Sequence, residues 1–401
     1  MKQQPIVSFA SAHRIASIDI LRALIMVLMI FVNDLWSLED IPLWLEHVEA
    51  GVDGIGLADV VFPAFLFIVG LSIPFAIDNR RAKGDTDSQL VKHVLARTIA
   101  LLVMGVFLVN GETFNENATG MARYLWNPLC CFSFILIWKT YSKKVKANFV
   151  MSARTIGILV LTLFAFIYRG GEDGDIQHFA PQWWGILGLI GWAYLASALI
   201  TIFAKNNFYA ILGGWVFFCM LSIVSKAGLI PDIFFFIPDA IRGGTLTGLT
   251  MGGVLTSLIF QHYKRSNDKT RLTLVLVVLS IVLIVLSIVS RPYWGLAKLG
   301  ATPAWLFLCS AFTILTFIAI YWLADVKGKA NWFAIIKPAG TDTLLCYLIP
   351  YFAYATTSIL SIHLPEAILI GGVGLLKSFL FALLCVFITG RLNQLGVRLK
   401  L

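Results

Sequence analysis

Long runs of apolar residues, separated by short polar stretches, dominate the chain. A membrane-spanning helix needs about 20 mostly apolar residues, each rising about 1.5 Å. Twelve runs meet this requirement. The number falls to eleven if the division into separate runs is mistaken at 207–225 or between the last two runs. They lie at 17–36, 57–78, 93–111, 124–141, 147–168, 183–204, 207–225, 245–262, 271–290, 303–324, 340–361 and 366–390. The pattern predicts an all-α, polytopic membrane helix bundle.

The basic residues divide unequally between the two sets of connecting loops. Loops that face the cytoplasm usually carry the excess of Lys and Arg. If the N-terminus is cytoplasmic, most of the 31 Lys and Arg residues fall on that side, and every alternate loop obeys the rule. The stretch before the first run has no small-residue cleavage site, so we expect that helix to be retained. We predict one transmembrane domain over 1–401 with both termini cytoplasmic.

The composition supports a membrane protein and excludes several other classes. Hydrophobic residues make up 59% of the chain and charged residues only 13%, against about 25% charged in soluble domains. The net charge of +9 follows the loop pattern, so we predict no nucleic-acid partner. All six cysteines fall inside apolar runs, and neither HExxH nor paired CxxC occurs, so we predict no metal site.

Polar residues gather where the first two runs meet the same membrane face. Asn33 ends the first run, His47 lies in the acidic loop that follows, and Asp59 opens the second run. Histidine suits proton transfer near neutral pH, and an amide can donate to an oxyanion or orient the histidine. Structural roles are the alternative: Asn33 as a helix end, Asp59 as a helix cap and His47 as an ordinary loop residue.

A few charged residues lie within the runs or beside them. Asp19 and Arg22 are three residues apart, a spacing that suits an ion pair, although Arg22 could instead hold cofactor phosphates. Lys377 is the one charge near the middle of a run, where it costs at least about 3 kcal/mol in lipid, which implies a partner or ligand. We interpret Lys298 and Arg291 as interface anchors, with contact to a sulfate or carboxylate of an acceptor as the alternative.

The segment from Arg14 to Gly70 carries a recognisable motif. It reads R-x-x-S-x-D-x-x-R, then F-V-N, then a histidine, then G-x-x-x-A-D-x-V-F-P-x-F-x-F-I-x-G. This motif resembles the heparan-α-glucosaminide N-acetyltransferase family of transmembrane acyltransferases. The best match covers 14–80 and continues in 240–390, so we expect 183–225 to be additional helices.

The resemblance implies a reaction and a set of site residues. Such enzymes move acetyl from cytoplasmic acetyl-CoA across the membrane to the free amine of a terminal glucosamine. The family's active-site histidine, asparagine and aspartate correspond to His47, Asn33 and Asp59. We assign Arg22 and Asp19, together with Lys377, to acetyl-CoA binding.

Several alternatives stay open at this point. The acceptor is expected to be an amino sugar or glycosaminoglycan fragment, reached from the periplasmic side of a bacterial inner membrane. Direct transfer and transfer through an acetylated His47 are both open, as is a homodimer. An O-acyltransferase acting on a surface glycan, or a sugar or ion transporter, is the alternative function.

Overall fold

The computed structural model describes residues 15–172, 174–399 and 401. These residues form fifteen α-helices and one small antiparallel sheet. The helices are α1 (Ala16–Asp34), α2 (Leu57–Arg81), α3 (Asp87–Asn110), α4 (Glu116–Thr119), α5 (Arg123–Trp138), α6 (Ala147–Ile167), α7 (Ile186–Ala204), α8 (Phe208–Lys226), α9 (Asp239–Arg242), α10 (Thr245–Arg265), α11 (Lys269–Trp294), α12 (Pro303–Tyr321), α13 (Lys337–Thr341), α14 (Thr343–Ile359) and α15 (Gly371–Gln394). The strands are β1 (Arg169–Gly170) and β2 (Gln177–His178).

Each of the twelve predicted runs coincides with a helix. Within the described residues, nine helices are long and apolar enough to cross a membrane: α1, α2, α3, α6, α7, α8, α11, α12 and α15. Of the other three, α5 and α14 have only 16 and 17 residues, and α10 is rich in glycine and threonine. The all-α, polytopic class is therefore confirmed, while the count of twelve crossings and the side of the termini stay predictions.

Helices α1, α2, α10 and α12 form the buried centre of the bundle. The tightest crossing joins α2 to α10, where two glycines face the opposite backbone. A Cβ added to Gly70 would collide with the Thr250 carbonyl, and one added to Gly253 would collide with the Phe67 carbonyl. Small residues allow membrane helices to approach closely and gain dispersion contacts, so this crossing fixes α2 against α10.

Helices α6, α8, α11 and α15 lie at the periphery and expose large apolar side chains. Examples are Phe166 on α6, Phe217 on α8, Ile288 on α11 and Phe387 on α15, each more than half exposed. In water such a surface would be an aggregation hazard, whereas in a bilayer it contacts lipid. These peripheral helices therefore expose the apolar surface that the sequence pattern predicts for a membrane bundle.

The connecting segments meet at two opposite ends of the bundle. At one end, called the outer end below, the segment after α1 pairs with the start of α15 through a bridge between Glu39 and Ile370. At the other, the inner end, Asp325 accepts a hydrogen bond of 3.1 Å from the Ser17 amide in the first turn of α1. The loops that the charge pattern predicts to share a membrane face thus also meet in the fold.

The crossing of α2 and α10 generates the first prediction. Gly253→Ala inserts a methyl group against the Phe67 carbonyl, and overpacking of this kind costs about 1–3 kcal/mol. We expect a lower midpoint of thermal unfolding in detergent. Gly213→Ala is the control, because nothing lies within 4 Å of a Cβ at this exposed position of α8. Equal midpoints for the two variants would contradict the close crossing.

Candidate active site

Asp59 is a buried carboxylate in the first turn of α2, and it brings the predicted His47 to the same place. Its Oδ1 lies 2.7 Å from His47 Nδ1. Its Oδ2 accepts backbone hydrogen bonds from Val48 at 3.0 Å and from Gly56, the residue that caps α2, at 3.1 Å. The carboxylate thus accepts from an amide at the start of α2, as the helix-cap alternative expects, and it also contacts the histidine.

The contact with Asp59 assigns the protonation pattern of the His47 ring. An ionised carboxylate only accepts hydrogen bonds, so in the neutral ring Nδ1 carries the proton and Nε2 carries the lone pair. The His47 side chain remains 46% exposed, whereas that of Asp59 is 2% exposed. Asp59 therefore holds the ring through Nδ1, and Nε2 is the nitrogen that can accept a proton.

The loop that carries His47 is docked against the loop between α11 and α12. Asp53 accepts hydrogen bonds from Arg291 Nε at 3.0 Å and from the Leu296 amide at 2.7 Å, and these two bonds lower the pKa of Asp53. The Gly54 amide donates to the Leu296 carbonyl at 3.0 Å. Gly56 lies so close to the Glu46 carbonyl that a Cβ would not fit. Arg291 therefore holds a loop, and its guanidinium is engaged by Asp53.

Lys298 contacts His47, and the sequence analysis did not predict this contact. Its Nζ lies 3.2 Å from Nδ1 and 3.3 Å from Nε2 of His47, although the two residues are 251 positions apart. Burial lowers the pKa of Lys298, and the nearby Asp59 carboxylate opposes that shift. The interpretation of Lys298 as an interface anchor is wrong, because its amine points to the candidate base.

A cavity of about 420 Å³ opens in front of His47 at the outer end. This volume is in the range of small-molecule sites. The exposed Asn33 lines it, so the structure brings Asn33 and His47 to one space. Most of the wall is apolar, and its polar side chains include Lys298 and Asp239. Apolar members of the wall include Met29, Val32, Ala58, Val61, Phe62, Leu189, Ala240, Leu246 and Trp305.

Helix α7 and the segment before it also line this cavity. Trp184, Ile186 and Leu189 come from the region that we expected to be additional, yet they form one wall of the site. On another side, Trp305 Nε1 donates a 3.0 Å hydrogen bond to the backbone carbonyl of Asp59. Tryptophan and leucine in apolar runs resemble ordinary membrane-facing residues, so no sequence signal marked them.

The predicted pair of Asp19 and Arg22 forms at the inner end. Arg22 Nη1 lies 3.1 Å from Asp19 Oδ1 and also donates to the Gly340 carbonyl at 3.1 Å. Its Nη2 donates to Ser72 Oγ at 2.7 Å. Arg22 thus joins α1 to α2 and α13, and its assignment to acetyl-CoA stays a prediction.

Lys377 has a partner, as expected, but the structure does not bring it to Arg22. Its Nζ lies 2.8 Å from Asp34 Oδ2 and 2.8 Å from Ser37 Oγ at the outer end. Asp34 also accepts hydrogen bonds from Ser378 Oγ at 2.7 Å and from the Tyr354 hydroxyl at 2.8 Å. Twelve residues of α1 separate Arg22 from Asp34, about 18 Å along the axis. Lys377 and Arg22 therefore cannot share one nucleotide site.

These features define a multi-pass helical membrane protein with a histidine–carboxylate pair facing a cavity at one end. The chain belongs to the family described as "Domain of unknown function (DUF5009)", whose model matches residues 14–241.

Two curated relatives confirm the resemblance noted from the motif. The chain is 32% identical to heparan-alpha-glucosaminide N-acetyltransferase of Mus musculus over 111 residues, which is 27% of this chain and 16% of that protein. It is 31% identical to the Homo sapiens protein of the same name over 101 residues, which is 24% of this chain and 14% of that protein. The alignments thus span a small part of either relative.

The ion pair between the buried Asp34 and the partly buried Lys377 generates the second prediction. Lys377→Met leaves the Asp34 carboxylate buried without its cation, and breaking such a pair costs about 3–5 kcal/mol. We expect a large drop in the thermal midpoint in detergent. The double variant Asp34→Asn with Lys377→Met is expected to recover much of that loss, because no unpaired charge remains. A double variant that is as unstable as the sum of the single changes would contradict this account.

Proposed function

We propose that the chain is a membrane acyltransferase that moves an acetyl group from acetyl-CoA to the free amine of a glucosamine-type sugar. The observation that carries the proposal is the His47–Asp59 pair, in which Asp59 holds Nδ1 of a histidine that lines one cavity with Asn33. The two curated relatives are named as N-acetyltransferases, which supports the acyl-transfer class.

In the proposed reaction His47 is the general base. Its Nε2 takes a proton from the sugar ammonium, and the freed amine attacks the carbonyl carbon of the thioester. Asp59 holds the ring and stabilises the imidazolium, while the Asn33 amide donates to the developing oxyanion. The carbon–sulfur bond then breaks, His47 returns its proton to the sulfur, and the second nitrogen proton is released to water.

The charge distribution supports a route across the membrane. The loops predicted to be cytoplasmic hold most of the Lys and Arg residues, which suits the phosphates of CoA. The loop that carries His47 is acidic, with Glu39, Glu46 and Glu49, and would concentrate a cationic amine. We propose that acetyl-CoA enters from the inner end and that the sugar enters from the outer, periplasmic end.

The third prediction concerns His47 itself. Purified protein in detergent is given radiolabelled acetyl-CoA and glucosamine, and the labelled sugar is counted. His47→Ala is expected to lower the transfer rate about 10²- to 10⁴-fold, because general-base assistance is lost. His178→Ala is the matched control, since this histidine is exposed on β2 and does not line the cavity.

Other results of this assay would select another function. Label on a hydroxyl of a glycan, but on no amine, would contradict the N-acetyl proposal and favour an O-acyltransferase. A wild-type protein that binds no acetyl-CoA and acetylates nothing would contradict acyl transfer and favour a transporter. Label retained on His47 would instead indicate an acetylated intermediate within the proposed function.

A further inference from the structure

The amine of Lys298 lies beside the His47 ring, away from the axis along which Nε2 would accept a proton from a substrate. A donor on the in-plane axis of Nε2 would be much farther from Nδ1 than from Nε2, yet the two distances are 3.3 and 3.2 Å. The Lys298 amine therefore does not take up the lone pair of Nε2. A positive group is held within contact distance of the His47 ring.

Lys298 is also the sole Lys or Arg among the described residues that line this cavity. Two other charged groups belong to this site: Asp59 from α2 contacts the His47 ring, and Asp239 from α9 lines the cavity. Asp239 is in direct contact with Arg242. Because the wall is mainly apolar, the field of the Lys298 charge is weakly screened there.

We propose that Lys298 is a further catalytic residue, whose ammonium stabilises the negative charge that acyl transfer creates on the thioester oxygen and then on the leaving sulfur. The inference rests on the proposed function, because it needs a thioester carbonyl beside His47. A positive group fixed in advance at a developing negative charge is among the strongest contributions to catalysis.

The charge of Lys298 also acts on the proton that His47 carries. Once Nε2 has taken the first amine proton, imidazolium and ammonium lie in contact, and the two positive charges repel. That repulsion favours delivery of the proton from Nε2 to the sulfur as the carbon–sulfur bond breaks. The amide and the free thiol leave, and the second amine proton passes to water, so Lys298 ends the cycle in its starting state.

Acetyl-transfer kinetics give the first test. Lys298→Met keeps the length of the side chain and removes its charge, and Lys298→Arg keeps the charge. We expect Lys298→Met to lower kcat about 10²-fold with KM for acetyl-CoA changed less than about threefold, and Lys298→Arg to restore part of kcat. Equal losses in both variants, or a loss confined to KM, would overturn the proposal.

A chemical probe gives a second test that needs no acetyl transfer. Diethyl pyrocarbonate acylates imidazole nitrogen, and mass spectrometry of the His47 peptide measures the rate of modification at one fixed pH. Attack of Nε2 on the reagent places negative charge on its carbonyl oxygen, which the Lys298 ammonium would stabilise, so the rate is expected to be about tenfold lower in Lys298→Met than in wild type. Lys298→Arg is expected to restore part of the rate.

The two tests separate the possible failures. A modification rate that is unchanged in Lys298→Met would overturn the electrostatic role of Lys298 beside His47, whatever the enzymatic rate. A lower modification rate in Lys298→Met, found together with a wild-type protein that transfers no acetyl group, would overturn the catalytic role together with the proposed function, and would leave only the contact. Thermal midpoints of both variants close to that of wild type are expected, which separates a lost charge from a lost fold.

Discussion

The site depends on the carboxylate of Asp59. A buried charge is stable only when it is paired and hydrogen-bonded, and this one receives the His47 ring and two loop amides. Its place at the N-terminus of α2 adds the favourable field of the helix dipole. Helix α2 is fixed by its glycine contacts with α10 and by the hydrogen bond from Trp305 of α12 to the Asp59 carbonyl. Because Asp59 lies on α2, these contacts also fix the position of the His47 ring.

The polar groups are divided between the two ends of the bundle. The outer end holds the cavity and the ion pair of Asp34 and Lys377, while the inner end holds Arg22 with its bonds to α2 and α13. Between them lies an apolar core of α1, α2, α10 and α12. The proposed reaction fits this division, because its two substrates are water-soluble groups expected on opposite sides of a bilayer.

Much of this arrangement could be predicted from local patterns. The apolar runs indicate the helices, and their boundaries place Asn33, His47 and Asp59 at one membrane face. Asn33 and Asp34 show the limit: successive helical residues point about 100° apart, so Asn33 faces the cavity while Asp34 turns inward to Lys377. Contacts such as that of Lys298 with His47 depend on how distant helices pack, and no local spacing encodes them.

Reconstituted vesicles test the central claim most directly. Wild-type protein is placed in liposomes with radiolabelled acetyl-CoA on one side and glucosamine only on the other, with His47→Ala as the inactive control. We expect acetylated sugar in the compartment that faces the outer end, at a rate that depends on His47. Acetylated sugar that appears only when both substrates share one compartment would contradict transfer across the membrane, and equal rates for both proteins would contradict the role of His47.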